Sequence, residues 1–308
     1  MTGLAPAVLA VAVSPCVDRY AWFEEFQLGV PNRPRRVEVR PGGKAMNASR
    51  VLRALGLTVT VVAPLHPSEW PWWVEQSSDE GIRVSPCAAR RPTRMTMTCI
   101  DEAANRATEI YEPGPRLSSE EWAHLGETVR EALSEEDREW IVAIAGSRPG
   151  GDGGALAGIV GYCRGRGIPV YLDGYGPAIV DALRAGPTVL KVNLDEARSL
   201  LGRGAQIDAE QAATGLVAVG ANIAIVTVGV EGAASFDGHN LRRIPGPAKP
   251  APFPGGSGDA FFAGLIAARI GGLPLDAALR QAQRCAEANA TSPYAGWVQP
   301  NTDPVEPT

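Results

Sequence analysis

Val189-Leu190-Lys191-Val192-Asn193-Leu194-Asp195-Glu196 turns from a short apolar, β-branched run into a helical pattern within one step, and the helix runs on to Leu201. A buried strand that feeds directly into a helix is the unit of a parallel sheet, whose strands need helices on both faces. The same rhythm recurs along the chain. Apolar runs at Val8–Val13, Thr58–Ala63, Ile141–Ala145, Pro169–Leu172 and Ile223–Val228 alternate with helical patterns at Ala45–Leu55, Ser119–Ala132, Ala209–Val219, Ala260–Ile270 and Pro274–Thr291. Ser118 and Asp208 are suited to cap two of these helices. Two segments break the rhythm: Tyr20–Arg40, and Pro86–Glu112 with its Met95-Thr96-Met97-Thr98 alternation. They read as antiparallel strands outside the main sheet, which would make a lid over one end of it.

Composition narrows the function classes. The chain has 308 residues, of which 45% are hydrophobic and 20% charged, which fits a packed protein and not a disordered one. No apolar run reaches membrane-spanning length, and Met1–Val13 lacks the marks of a signal peptide, so a cytoplasmic protein is expected. A net charge of -5 disfavours nucleic acid as partner. The basic stretch Arg33–Arg40 alternates with Pro and Val as a strand edge does. The five cysteines show no CxxC spacing and read as reduced core residues. His66, His124 and His239 are isolated and read as surface or loop residues. Pro300–Pro307 reads as a poorly ordered end.

Pro254-Gly255-Gly256-Ser257-Gly258-Asp259 leads straight into the apolar helix Ala260-Phe261-Phe262-Ala263-Gly264-Leu265-Ile266. Backbone N–H groups at a helix start attract anions, and glycines let a phosphate come close. Asp259 could simply cap the helix. Beside an anion nest, however, it could also accept a hydroxyl proton during phosphoryl transfer, and the two roles are compatible. Arg40-Pro41-Gly42-Gly43-Lys44-Ala45-Met46-Asn47-Ala48 is a second glycine turn opening a helix, with a Lys and an Asn able to hold a sugar or a phosphate. It is not a Walker A loop, since Lys44 is followed by Ala45. The first strand-to-helix turn, Ser14-Pro15-Cys16-Val17-Asp18, has no GxGxxG, which argues against a nicotinamide dehydrogenase. Asn193 and Glu196 would share a helix face at the carboxyl end of a strand and could orient Mg²⁺ through water, although carboxylates in a first helical turn also serve the helix itself.

In this order and at these intervals, the three turns resemble those of the ribokinase/PfkB carbohydrate kinases, most of all the 1-phosphofructokinase and tagatose-6-phosphate kinase branch. Ser14–Arg19, Thr93-Arg94, Thr108–Pro115, Gly146-Ser147-Arg148-Pro149, Leu172–Gly176 and Thr227-Val228-Gly229-Val230-Glu231-Gly232 look like that branch too. The resemblance implies one kinase domain over residues 1–308: a ribokinase-like three-layer α/β/α fold with a mostly parallel central sheet, and a small β-sheet lid from about 20–40 and 86–112. It implies ATP and Mg²⁺ as cofactors, with a sugar or sugar phosphate as the other partner and a homodimer formed through the lid. Asp259 would be the base and Gly256, Ser257 and Gly258 the anion hole. Asp18, Gly43 and Asn47 would hold sugar hydroxyls, and Lys44, Arg94 and Ser147 a phosphate already on the substrate. Thr227, Gly229, Gly232 and Gln283 would lie near the nucleotide, and Asn193 and Glu196 would arrange Mg²⁺.

The chain departs from the family pattern at Pro64–Trp73, where a glycine-rich stretch is usual, and at Ala45, Gly255 and Tyr111, where Gly, Val or Thr, and Asn are common. The tryptophans at 70, 72 and 73 could stack on a sugar or simply pack. The activity expected is ATP-dependent phosphorylation of a ketohexose phosphate such as fructose 1-phosphate, fructose 6-phosphate or tagatose 6-phosphate. The alternatives are a kinase for an unphosphorylated sugar or nucleoside, and a catalytically weak sugar-phosphate-binding sensor.

Overall fold

The computed structural model describes residues 4–299 apart from 136–137, 148–152, 203–205 and 248–249. The expectations for Arg148-Pro149 and for the tail at 300–307 lie outside the described residues. The chain opens with β1 (Leu4–Ala12), β2 (Cys16–Phe23), β3 (Arg36–Gly42), α1 (Lys44–Ala54), β4 (Thr58–Leu65), α2 (Trp70–Asp79) and β5 (Arg83–Ala88). It continues through β6 (Arg94–Asp101), β7 (Arg106–Tyr111), α3 (Ser119–Ser134), β8 (Arg138–Ser147), α4 (Gly153–Arg164), β9 (Val170–Tyr175) and α5 (Pro177–Arg184). The last third holds β10 (Val189–Asn193), α6 (Leu194–Leu200), α7 (Ala209–Val219), β11 (Ile223–Thr227), β12 (Gly232–Phe236), β13 (Leu241–Pro245), α8 (Ser257–Ile270) and α9 (Leu275–Asn289).

The larger sheet has nine strands in the order β13-β12-β11-β10-β9-β8-β1-β4-β5. From β11 to β5 all neighbours are parallel, and β12 and β13 extend one edge as an antiparallel pair. Successive residues of one strand point to opposite faces, so the sheet divides the core in two. Leu9 and Val11 pack with Trp122, Leu125, Ile159 and Leu216 on one side. Val8 and Ala10 pack with Met46, Trp73, Phe262 and Leu279 on the other. Helix α8 is apolar on nearly all sides and is buried along most of its length, as such a helix must be. Two helices start where the sequence offers them caps: Ser118 Oγ accepts from Glu121 N at 3.3 Å and Asp208 Oδ1 from Gln211 N at 2.8 Å. All five cysteines are free and buried.

The four-stranded lid has the order β3-β2-β6-β7, with β2 and β6 parallel and the outer pairs antiparallel. Its β3 is an edge strand, as the Arg33–Arg40 pattern suggested. Three expectations need correction. Residues 86–88 belong to β5, which pairs in parallel with β4 at the edge of the large sheet, so the second lid segment begins at Arg94. The first lid strand starts at Cys16, so Ser14-Pro15 is a turn from strand to strand and not from strand to helix, and Cys16–Asp18 belong to β2. Finally, 64–73 is not a loop, and its tryptophans take the second of their two readings, packing on the core. His66–Glu69 forms a capped 3₁₀ turn, and Glu69 accepts from Thr93 N and Oγ1, bracing the start of β6. Trp73 is fully buried in the core, and Trp70 Nε1 donates to Leu65 O at 3.0 Å.

Candidate active site

Strand order changes direction between β1 and β8: the chain proceeds from β1 through β4 to β5 on one side, and from β8 through β9 and β10 to β11 on the other. Clefts form at such switch points, beyond the carboxyl ends of the strands. A cavity of about 1390 Å³ lies there, closed from above by the inner face of the lid. It collects Asp18, Gly43, Lys44, Asn47 and Arg94 from one part of the sequence, and Asn193, Glu196, Thr227, Gly229, Gly232, Gln283 and Gly256–Asp259 from the other. Ser147 ends β8 with its backbone opposite Tyr175, and its side chain is outside the description.

Helix α8 begins at Gly256, whose φ of 76° lies in the left-handed region, and a Cβ there would press into Ala295. Asn289, fully buried at the end of α9, fixes the preceding residue: its Nδ2 donates to Gly255 O at 2.8 Å, while its Oδ1 accepts from Gly296 N and Trp297 N. The first helical turn then carries Asp259 into the cavity, only 7% exposed. Asn47, from the first turns of α1, donates through Nδ2 to Asp259 Oδ2 at 2.9 Å. Its own Oδ1 is buried with no partner among the described residues. Burial pushes the Asp259 carboxyl up to about 7; the Asp173 charge adds to this, while Lys44, the Asn47 amide and Lys191 oppose it.

Beneath Asp259 runs a row of alternating charges. Lys191 Nζ donates to Asp173 Oδ2 at 3.0 Å, and Lys44 Nζ donates to Asp173 Oδ1 at 2.7 Å and to Glu196 Oε1 at 3.0 Å. Lys191 and Asp173 stand opposite each other on β10 and β9. Burial works against the Asp173 charge, but the ammonium groups of Lys191 and Lys44 overcome it and hold the carboxyl below its ordinary range. Burial likewise opposes the Lys44 ammonium, and Asp173, Glu196 and Asp259 together hold it above the usual lysine range. Lys191 Nζ also reaches the glycine turn, lying 2.8 Å from where a Cβ on Gly258 would stand.

The other expected residues fall on two sides of this centre. Asp18 accepts from Cys16 Sγ at 3.1 Å, and its carboxyl is raised by burial against the pull of Arg50, Arg40 and Arg94. Arg94 donates to Glu112 O at 3.4 Å and keeps its Nε without a partner among the described residues. Thr227 Oγ1 donates to Val192 O at 3.4 Å, and Gln283 Nε2 donates to Glu287 Oε1 at 3.0 Å. Gly232 admits the close approach of Ile244 O, so it has a structural duty between β12 and β13 as well as a place on the cavity wall.

Asn193 and Glu196 are a capping box at the start of α6: Asn193 Oδ1 accepts from Glu196 N at 2.8 Å, and Glu196 Oε2 from Asn193 N at 3.0 Å. The helix-serving reading is met, and it does not exclude the ligand-facing one. Carboxylate oxygens have further lone pairs, so the pair fits a hydrated divalent cation met through water. No cluster of three or more His, Cys, Asp or Glu suited to hold a metal ion directly occurs among the described residues.

Sequence reasoning gave no role to Asp173, Lys191 or Asn289. The sign for the first two was available, since a charged residue inside a buried-strand run must be paired. Nothing in the local sequence distinguishes Asn289.

A carboxylate with a raised pKa beside a glycine turn, a helix N-terminus and a buried ammonium suits transfer of an anionic group to a hydroxyl. The comparisons with known proteins agree. The model of the pfkB family of carbohydrate kinases matches residues 10–301. A 1-phosphofructokinase of Rhodobacter capsulatus is 30% identical over 274 residues, covering 87% of this chain and 85% of its own. Phosphofructokinase-2 of Escherichia coli in complex with potassium superposes with a TM-score of 0.85 at 22% identity, over 95% of both chains. The same enzyme in complex with fructose-6-phosphate gives 0.79 at 23% identity, over 92% of both. The chain belongs to the pfkB family of carbohydrate kinases, enzymes that transfer a phosphoryl group to a hydroxyl.

Proposed function

We propose that this kinase uses ATP to phosphorylate a ketohexose phosphate, with Asp259 as the general base. The observation that carries the reading is the buried Asp259 carboxyl, pushed up to about 7 and set between Asn47 and the glycine turn. A base of that strength is matched to work at neutral pH. Asp259 accepts the proton of the acceptor hydroxyl as its oxygen attacks the γ-phosphorus in line. The backbone N–H groups of Gly256 and Gly258 face the charge that spreads over the transferring group, and Lys191 adds a buried cation beside them, whereas the Ser257 N–H expected among these donors is given to Pro254 O at 3.1 Å. Asn193 and Glu196 would hold hydrated Mg²⁺, which when bound neutralises phosphate charge.

Thr227, Gly229, Gly232 and Gln283 line the nucleotide side. On the sugar side, Asp18, Gly43 and the free Oδ1 of Asn47 meet hydroxyls. Arg94, with unused donors, takes the phosphate already on the sugar, and Ser147 is the second residue we propose for it. Lys44 is engaged by Asp173 and Glu196, so the phosphate contact expected of it passes chiefly to Arg94, and Lys44 ties the sugar and metal sides together. No helix among the described residues is long and apolar enough to cross a membrane. The lid's outer face exposes Val37, Val39 and Ile110, and a second copy of the chain is the partner we propose for it, which the mass in solution tests. The test of the activity is an ATP-consumption screen over sugars, sugar 1-phosphates and sugar 6-phosphates. Turnover confined to unphosphorylated sugars would overturn the sugar-phosphate reading, and no turnover on any sugar would overturn the kinase mechanism.

A further inference from the structure

The inner face of the lid is built in rows across its strands. One row begins with Cys16 and Arg94; the next is Arg40, Asp18, Thr96 and Tyr111; the next is Glu38, Tyr20, Thr98 and Glu109. Four residues along a strand span about 13 Å, so the Arg94 row and the Glu109 row are about that far apart. That is on the order of the length of a hexose carrying a phosphate at one end.

The two ends of this span have opposite character. Arg94 has a buried Nε with no partner among the described residues and one long bond to a carbonyl. Glu109 has no cation within ion-pair distance among the described residues, and its Oε2 accepts from the Tyr111 hydroxyl at 2.6 Å. Its Oε1 hangs over Gly255, and a Cβ there would have to push the carboxylate aside. Gly255 lies in the turn that leads into α8, so this carboxylate stands on the same cavity as Asp259, beside that turn. A carboxylate there is a good acceptor for a hydroxyl and a poor neighbour for a phosphate.

We propose that Glu109, oriented by Tyr111, decides which end of the substrate faces Asp259. It accepts a hydrogen bond from the hydroxyl end of the sugar and repels a phosphate there, so the phosphate end lies toward Arg94. The same repulsion acts on the newly added phosphate and favours release of the doubly phosphorylated product. Gly255 supplies the space, and Tyr111 is the positioning residue. This rests on the sugar-phosphate reading above.

Glu109→Gln removes the charge and keeps the shape and the acceptor for Tyr111. The measurement is calorimetric binding of the ketohexose monophosphate that wild type binds best, among fructose 1-phosphate, fructose 6-phosphate and tagatose 6-phosphate, and of its bisphosphate. The expected result is divergence: the bisphosphate binds about five- to tenfold tighter to the variant, and the monophosphate about threefold or more weaker. Tyr111→Phe should shift both ligands in the same directions by less. A lid that is merely loosened would weaken both ligands together, and that outcome, or no change in either, overturns the proposal. Failure of wild type to bind any of the monophosphates sinks the sugar-phosphate reading instead, and this one with it. Binding of both ligands without divergence sinks only the role of Glu109.

Discussion

Asp259→Asn separates two consequences of one buried carboxylate. The amide has nearly the same shape, and its oxygen can still accept from Asn47 Nδ2. What it loses is the ability to take a proton and to become charged. Loss of a general base costs roughly 10²–10⁴ in rate, so kcat should fall by about 10² or more with sugar affinity near normal. Stability should move the other way. The folded-state carboxyl titrates at about 7 and the unfolded one at about 3.8. Between those values the folded protein holds a proton that the unfolded chain has released, so the group's contribution to stability is full below 3.8 and is lost as pH rises through 7. The charged group therefore costs about 2 kcal/mol at pH 5 and about 4 kcal/mol above pH 7. Asn carries no such cost.

The variant's advantage in stability should thus widen by about 3 kcal/mol between pH 5 and pH 8, which is roughly 5 °C in Tm for a chain of this length. The assay is a series of thermal melts of both proteins without ligands across that range, run beside steady-state kinetics. Turnover within a few-fold of wild type would remove Asp259 from the mechanism. A melting difference equal at pH 5 and pH 8 would show that the carboxyl does not titrate near neutrality, and the argument from burial would fail.

Further outcomes follow from the same geometry. In wild type, kcat/KM should fall as pH drops below about 7, because Asp259 must be charged to accept a proton; a flat profile from pH 5.5 to 8 would contradict this. Asp173→Asn leaves Lys191 buried without its carboxylate, and denaturant titration should show a loss of about 3–5 kcal/mol; a loss under about 1 kcal/mol would mean the pair is not needed. Glu196→Gln can keep the capping box, so stability should change little while more Mg²⁺ is needed for half-maximal activity; an unaltered Mg²⁺ titration with weakened sugar binding would count against its role. Arg94→Ala should lower kcat/KM for a phosphorylated sugar by roughly 10-fold to 100-fold and leave a free sugar nearly unchanged, whereas an equal small loss on both would make Arg94 a surface charge.

Much of the large sheet was legible because a buried parallel strand is an apolar run and its neighbours are amphipathic helices. The boundary of the lid was harder. Residues 86–88 sit on an edge strand of the large sheet, where a mixture of polar and apolar residues looks like the lid strands that follow. Helix α2 was hidden by Trp70-Pro71-Trp72-Trp73, which reads as a loop. Pro71 sits in the first turn, where its missing N–H costs nothing, and Trp73 turns into the core. The glycine turns announced the site, since anion binding at a helix start is a local property of the chain. The pairing of Asp173 with Lys191 is not local: it depends on the register between β9 and β10, which sets the two residues opposite each other.

That register also sets Asp259 apart from its charged neighbours. Glu196, Lys44, Asp173 and Lys191 alternate in sign along a buried row, each beside an opposite charge. Asp259 stands next to the row without an ion partner of its own within salt-bridge distance among the described residues, and its bonded neighbour is the neutral Asn47 amide. Burial is therefore the largest influence on it, and with the Asp173 charge it outweighs the pull of Lys44, the Asn47 amide and Lys191. A further charge in the cavity, such as a cation brought in beside Glu196 or a phosphate taken up by the turn, must shift this carboxyl. The acid limb of the kcat profile should consequently sit away from that of kcat/KM, downward if the bound reactants bring net positive charge near Asp259 and upward if they bring net negative. Coincident limbs would mean that the bound reactants leave the charge around Asp259 unchanged, and would refute the view of Asp259 as the unbalanced member of the cluster.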